Sequence, residues 1–185
     1  MVGSYSIMTQ LRHYDDSGLA RFVTFACHKG YPLFTNPDIA QLFIDHLSAL
    51  RSNQNIKIFA YVLMPEHVHL VLLPPENVKL GILIGQMKGR FARDVVQLWE
   101  QQGATVPKQL CNVEHGTRKH IIWKRRCHDH NCRNIEAVKT RIEYCHYNPV
   151  RRGLVKKPDA WKWSSCQWYM GKKDIPLEMD SLPPP

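Results

Sequence analysis

The sequence predicts an α+β protein with a ferredoxin-like, split βαβ fold, in which an antiparallel sheet is built from elements in the order β-α-β-β-α-β. Two observations predict this class. Short segments rich in β-branched and aromatic residues, typical of strands, are interspersed with longer segments whose apolar residues recur at helical spacing. In addition, a chain of 185 residues, 44% of them hydrophobic, is long enough for one domain with a core and too short for two full domains.

The first half of the chain is predicted to form a strand, a helix and two further strands. The first strand is expected at 21–28 and is followed by a loop rich in proline and glycine. A helix starts near Asp38, is broken at 53–55 and has an apolar stripe formed by Ile39, Leu42, Phe43, Leu47 and Leu50. Alternating side chains over 56–63 and the apolar run 67–73 predict the second and third strands.

The second half is predicted to complete the fold and to add a helix. A long helix is expected at about 79–101, a loop at 101–116 and a short final strand at 120–123. A further helix at 134–147 is expected to stop before Pro149, because the residue preceding a proline avoids helical angles. This helix, which carries tyrosines, and a basic, aromatic-rich C-terminal extension are additions to the split βαβ core.

We expect the chain to divide into three parts. Residues 1–18 are polar and are expected to be a flexible N-terminal segment, 19–170 to form the folded domain and 171–185 to be a C-terminal tail. No stretch approaches the roughly 18 apolar residues of a membrane span, and no signal peptide is visible. With six cysteines and no secretion signal, a reduced cytoplasmic location is expected rather than a disulfide framework.

The positive charge is concentrated in one quarter of the chain. The net charge is +9, and residues 116–160 hold twelve Lys and Arg against four Asp and Glu, while the remainder is nearly balanced. A basic excess on a small domain favours a polyanionic partner such as nucleic acid, and the alternative is a merely basic protein. On the long helix, Lys88, Arg90 and Arg93 are either further contacts or the solvated face.

The segment 127–132 contains two cysteines and two histidines, which are zinc ligand types. No second cysteine pair with the usual spacing accompanies it, so zinc is disfavoured. The alternative, which we favour, is a loop before the helix, with His128 and His130 near phosphate or solvent.

His67 and His69 lie two residues apart in the third predicted strand, so their side chains project from the same face. Val68, Leu70 and Leu72 point the other way, into the core. Neutral imidazole is a common ligand of divalent transition metals. The pair therefore predicts either a metal site or two exposed strand histidines.

The helix at 134–147 carries Tyr144, and Asn148 lies four residues further on, one turn away on the same face. A tyrosine hydroxyl can attack phosphorus and form a covalent ester, given help from a metal or nearby cations. The Asn148 side-chain oxygen is a candidate third metal ligand. Tyr147 is the rival nucleophile, and the alternative for both tyrosines is packing.

Four motifs together resemble the REP-associated tyrosine transposases, relatives of the single-tyrosine transposases of small bacterial insertion sequences. The resemblance covers about residues 20–170. The motifs follow one another in the family's order: Met64-Pro65-Glu66-His67-Val68-His69-Leu70; Trp123-Lys124-Arg125-Arg126 with Asp129; Tyr144 to Val150 with Gly153-Leu154-Val155; and Trp163-Ser164-Ser165.

The resemblance implies a ferredoxin-like, metal-dependent endonuclease and strand transferase that cuts single-stranded DNA beside the hairpin of a repetitive extragenic palindrome (REP). Cleavage in that family leaves a 5′-phosphotyrosine and a free 3′-OH. By motif position, His67 and His69 match the His-hydrophobe-His (HUH) pair, Tyr144 the nucleophile and Asn148 the residue that completes a Mg²⁺ or Mn²⁺ site. A cytoplasmic, nucleoid-associated monomer or homodimer with no other cofactor is expected.

Basic and aromatic residues on both sides of Tyr144 are the predicted DNA contacts. Trp123 is a candidate for stacking on an unpaired base, although a buried core position is the commoner role of a tryptophan. The full set is Arg118, Lys119, Trp123, Lys124, Arg125, Arg126, Arg151, Arg152, Lys156 and Lys157.

Two other function classes stay open at this point. The first is a non-catalytic regulator of the same fold that binds a hairpin or single-stranded DNA, and the intact histidine, tyrosine and asparagine set argues against it. The second is a metal-dependent hydrolase that uses water as nucleophile. The lack of a paired carboxylate or a third histidine near His67 argues against that class.

Overall fold

A four-stranded antiparallel sheet lies at the centre of the structure, a computed structural model that describes residues 18–114 and 117–182 except for the side chains at 113–118. The predicted flexible segment at 1–18 lies outside the described residues except for Gly18. In chain order the elements are β1 (Ala20–Cys27), α1 (Pro37–Gln54), β2 (Lys57–Met64), β3 (His67–Leu73), α2 (Leu80–Gln101), β4 (Cys111–Glu114), β5 (Thr117–His120), β6 (Trp123–Cys132), α3 (Ile135–Arg151) and α4 (Cys166–Tyr169).

The strand order in the sheet is β2-β3-β1-β6, with every neighbouring pair antiparallel. The strands β1, β2, β3 and β6 together with α1 and α2 follow the predicted β-α-β-β-α-β order along the chain. The α+β fold class is therefore confirmed. Among the described residues, no helix combines the length and hydropathy that crossing a membrane requires.

The two faces of the sheet are covered by different helices. Val68, Leu70 and Leu72 of β3 belong to one buried cluster with the apolar faces of α1 and α2. Phe22 and Val71 belong to a second cluster, which includes Val138, Ile142 and Cys145 of α3. Because side chains alternate along a strand, His67 and His69 face the side of the sheet that carries α3.

The last strand of the sheet differs from the prediction. The residues predicted as strand, 120–123, mostly precede β6. The segment 127–132, predicted as a loop, forms most of the part of β6 that pairs with β1. Part of the predicted loop at 101–116 instead pairs as β4 with β5 in a separate hairpin. The polar sequence of β6 has weak strand propensity, and pairing with β1 overrides it, as tertiary contacts often do in sheets.

Helix α3 also extends further than predicted. Asn134 is its N-cap, because its side chain accepts a 2.8 Å hydrogen bond from the Ala137 amide. Pro149 does not stop the helix, which runs on to Arg151. The Arg152 amide donates to the Asn148 carbonyl at 3.0 Å and completes the last turn beyond the proline. Asn148 therefore lies inside the helix.

The C-terminal residues cover the outer edge of β2. The Leu63 amide donates to the Trp163 carbonyl at 2.8 Å, and the Asp180 amide donates to the Ile58 carbonyl at 2.9 Å. Leu177 is buried in the core, so residues of the segment predicted as a tail pack onto the domain as far as the structure describes them. The edge strand β2 is thereby protected from pairing with another chain.

Candidate active site

His67 and His69 face each other across one end of β3. Their Nε2 atoms are 3.1 Å apart, which confirms that the two side chains share a face. Two nitrogen atoms bound at right angles to one metal ion, each at about 2.1 Å, would be about 3.0 Å apart. The observed spacing therefore fits neighbouring positions in the coordination shell of a single ion.

The other ring nitrogen of each histidine is held by a neighbouring side chain. Thr24 Oγ1 lies 2.7 Å from His69 Nδ1, and Glu66 Oε1 lies 3.0 Å from His67 Nδ1. A carboxylate only accepts hydrogen bonds, so the proton of a neutral His67 belongs on Nδ1 and its Nε2 carries the lone pair. This arrangement is the one in which outer side chains orient metal-binding imidazoles.

Both histidines are held in the neutral form. Burial and, to a smaller extent, the neighbouring His67 together lower the pKa of His69 to about 3. Burial also lowers the pKa of His67, against the opposing effect of Glu66. Neutral imidazole is the form that binds a metal, so both side chains have the protonation state that a metal site would need.

Glu66 links the histidine pair to the end of α3. Its carboxylate, with 21% of the side chain exposed, also forms an ion pair with Arg152, in which Oε1 lies 3.0 Å from Nη1. Arg152, predicted as a DNA contact, thus has an intramolecular partner in this structure. Sequence reasoning overlooked Glu66 as a site residue, although a carboxylate directly before a His-x-His pair is a recognisable signal.

Tyr144 reaches the histidine pair from α3. Its ring is nearly perpendicular to those of His69, with centroids 5.3 Å apart, and Phe22, with centroids 5.7 Å apart. The Arg151 guanidinium carbon lies 5.0 Å from the centroid of the same ring. Helix α3 therefore brings a hydroxyl-bearing ring, a cation and two imidazoles into one cluster.

Tyr147 and Asn148, the two other candidate site residues on α3, differ in their exposure. Tyr147 is 45% exposed, so it does not pack into the domain as a core residue. Asn148 is buried, one turn from Tyr144. Among the described residues, no three His, Cys, Asp or Glu side chains are grouped as in a metal site. A metal on the histidine pair would take its other ligands from an amide such as Asn148, from water or from substrate.

His146 fixes α3 to the sheet. Its Nε2 lies 2.9 Å from Ser165 Oγ, and Ser165 Oγ donates to the Tyr61 carbonyl at 3.2 Å. Burial lowers the pKa of His146 to about 4, so it is neutral near pH 7. This contact gives the Trp163-Ser164-Ser165 motif a structural role, which is to hold the helix that carries Tyr144.

Two predicted surface residues are buried. Trp123 is 8% exposed, and its indole Nε1 donates to the Lys88 carbonyl at 3.1 Å. This is the core position expected as the commoner role, and it argues against stacking on a base, because the ring packs on Phe25 and Phe91. Lys88 is also buried and donates to the Lys124 carbonyl at 3.3 Å, so it is neither an available DNA contact nor part of a solvated face.

The other predicted DNA contacts are exposed, apart from Arg118, whose side chain lies outside the described residues. Lys119 lies on the β4–β5 hairpin, three cations lie on β6 and four lie at the end of α3 or just after it. The exposed residues are Lys119, Lys124, Arg125, Arg126, Arg151, Arg152, Lys156 and Lys157.

The family model and the relatives that this chain matches are all transposases. A family model described as "Transposase IS200 like" matches residues 19–111. A Haemophilus influenzae protein named "Putative REP-associated tyrosine transposase" is 30% identical over 110 residues, which are 57% of this chain and 56% of that protein. The REP-associated tyrosine transposase of Escherichia coli is 25% identical over 129 residues, covering 70% of this chain and 66% of its own. The chain thus matches less than two thirds of either relative's length.

The fold has a solved counterpart. A structure of a REP-associated tyrosine transposase bound to a REP hairpin superposes with a TM-score of 0.68 at 20% sequence identity. The match covers 94% of this chain and 92% of that one. At this identity the likeness establishes the shared fold.

Proposed function

Since the chain belongs to the "Transposase IS200 like" family, we propose that it is a metal-dependent single-stranded DNA endonuclease and strand transferase with Tyr144 as its nucleophile. The observation that carries this proposal is the contact between the Tyr144 ring and His69, with Arg151 over the same ring. The names of its relatives support a REP-type hairpin as the DNA feature that it recognises.

In the proposed reaction the Tyr144 oxygen attacks the scissile phosphorus. A bond forms between that oxygen and phosphorus, the bond to the 3′ oxygen breaks, and the released 3′-OH takes up the proton that tyrosine loses. The 5′ strand end is left as a phosphotyrosine. Attack of a 3′-OH on this ester reverses the step and joins strands, so no nucleotide cofactor is required.

Arg151 supports this step by charge. Its guanidinium carbon lies 5.0 Å from the centroid of the Tyr144 ring, so its positive charge would offset the negative charge that develops around the attacked phosphate. The contacts with His69 and Phe22 hold the ring in one orientation, which lowers the entropic cost of aligning it with phosphorus.

The proposed metal ligands are Nε2 of His67, Nε2 of His69 and the side-chain oxygen of Asn148. The ion is Mg²⁺ or Mn²⁺, and two imidazole ligands suit Mn²⁺ at least as well. When bound, it would polarise the scissile phosphate and offset its negative charge.

Glu66 is expected to tune the affinity of this site. We predict that Glu66→Ala weakens Mn²⁺ binding about 10- to 100-fold, because His67 loses the group that holds its Nδ1 proton. Titration calorimetry with Mn²⁺ on the whole chain measures this change. Glu76→Ala, at an exposed carboxylate outside the site, is the matched control and should bind Mn²⁺ like the unaltered chain. Equal affinity in Glu66→Ala would show that the carboxylate does not act on the site.

The test of the proposed function uses the unaltered chain, Mn²⁺ and an end-labelled single strand that contains a REP-type hairpin. We expect a protein–DNA band that survives detergent and heat, and none when the hairpin is replaced by an unstructured sequence or Mn²⁺ by a chelator. Binding of the hairpin with no such band under any divalent metal would contradict the proposal. It would favour the non-catalytic DNA-binding regulator instead.

A further inference from the structure

The strands β1 and β6 enclose a groove of about 390 Å³ at the edge of the sheet. We call it the β1–β6 groove, and it is lined by Thr24, Phe25 and Ala26 on β1 and by Lys124, Arg125, Arg126 and His128 on β6. Within the described part of the chain, no carboxylate lines it. The nearest acidic residue in β6, Asp129, is paired with Arg21 and lies opposite Val23, whose side chain belongs to the core on the other face.

A bulge in β6 determines where the three cationic side chains of this groove lie. Trp123 pairs with Cys27 and Cys127 pairs with Phe25, so three residues of β6 lie opposite the single residue Ala26. In a regular strand, consecutive side chains would alternate between the two faces. Within the bulge all three basic side chains are exposed and line the same groove. Bulges commonly redirect side chains beside active sites in this way.

The groove adjoins the histidine pair through Thr24. Thr24 lies opposite His69 on one side and opposite His128 on the other, so the three residues form one row across the sheet. Neighbouring strands are about 4.8 Å apart, which places the His128 position about 10 Å from that of His69. At about 3.4 Å per nucleotide along a stacked strand, this distance corresponds to about three nucleotides.

We propose that the β1–β6 groove binds the backbone of the cleaved DNA strand at phosphates within about three nucleotides of the scissile phosphate. This inference rests on the proposed function, because the scissile phosphate is the one that Tyr144 attacks. His128 and Thr24 thereby join the proposed DNA-contacting residues. Arg125 and Arg126 contact a defined stretch of single strand rather than the hairpin. Charge complementarity carries the assignment, since every described ionisable group that lines the groove is basic.

The experiment replaces one phosphate at a time with an uncharged methylphosphonate in the flanking single strand of a hairpin DNA. Binding to the whole chain is measured for each oligonucleotide, with the unaltered chain and with an Arg125→Gln/Arg126→Gln variant. We expect methylphosphonate at one or two positions within three nucleotides of the cleavage point to weaken binding about tenfold, as loss of a charged hydrogen bond would. The variant should bind about tenfold more weakly and lose its sensitivity to the same positions.

Salt dependence gives a second readout. The slope of log affinity against log salt should become shallower by about 0.7 for each phosphate that the variant no longer neutralises. Arg90→Gln, at an exposed cation on α2, is the matched control and should keep the methylphosphonate pattern of the unaltered chain. Thermal melting confirms that the variants fold.

Two results would overturn the inference. The first is a methylphosphonate scan that shows no sensitive position in this stretch. The second is a variant whose binding stays fully sensitive to methylphosphonate at the same positions. That result would mean that the cations only protect an edge strand from pairing with other chains. If the chain cleaves its DNA but gives either of these two results, only the inference about the groove is contradicted. If the scan finds a sensitive stretch but no covalent adduct forms, only the proposed function is contradicted.

Discussion

Replacing Tyr144 with phenylalanine is expected to abolish the covalent protein–DNA adduct. The substitution removes only the hydroxyl oxygen that would become bonded to phosphorus, and it keeps the ring that packs on His69 and Phe22. The variant should therefore fold and bind the hairpin DNA as the unaltered chain does. The measurement is a denaturing gel with labelled single-stranded hairpin DNA and Mn²⁺, with hairpin affinity measured in parallel.

Tyr147→Phe is the matched control for this prediction. Tyr147 lies on the same helix, three residues further on, and its side chain is exposed. We expect it to form the adduct at close to the unaltered rate. An adduct that persists in Tyr144→Phe and disappears in Tyr147→Phe would transfer the nucleophile to Tyr147.

The second large effect is expected at the histidine pair. His67→Ala should lose metal-stimulated cleavage, because one of the two facing Nε2 atoms is removed. Hairpin binding should remain, because the proposed DNA contacts lie on other elements. Adduct yield across a Mn²⁺ titration, together with hairpin affinity, measures the two properties separately.

His28→Ala, at a partly exposed histidine just after β1, is the matched control and should respond to Mn²⁺ like the unaltered chain. His67→Gln, which keeps a polar side chain of similar length, separates loss of the ligand from loss of packing. An unchanged Mn²⁺ response in both His67 variants would contradict the metal site. Loss of the folded state in both would support a structural role for the histidine.

Where the pattern of apolar residues within a single segment determines the structure, as in the helix and strand elements that form most of the core, the prediction was correct. The apolar stripe of α1 reflects the burial of one helix face, and the continuous apolar run of β3 reflects the burial of both faces of that strand, so burial leaves a recognisable pattern in each segment. The same-face placement of His67 and His69 follows from the strand period alone. These features required no knowledge of what each segment packs against.

The errors occurred where a distant partner decides the local structure. The strand β6 has polar residues at most positions, and it is a strand because it pairs with the edge of β1. Pro149 was expected to end α3, yet the capping bond from Arg152 completes the turn after it. The ion pair between Glu66 and Arg152 joins residues far apart in the chain, and no local pattern reports such a contact.

The most direct test of the central claim is to identify the residue that carries the DNA. Trypsin cleaves after Arg141 and Arg151, so one peptide, residues 142–151, contains both candidate tyrosines. After nuclease trimming of the adduct, fragmentation mass spectrometry of this peptide locates the added nucleotide phosphate. We expect the added mass on Tyr144, joined through a 5′ phosphate. The same mass on Tyr147 or on another peptide, or an unmodified peptide from a sample that has cleaved its DNA, would contradict the account.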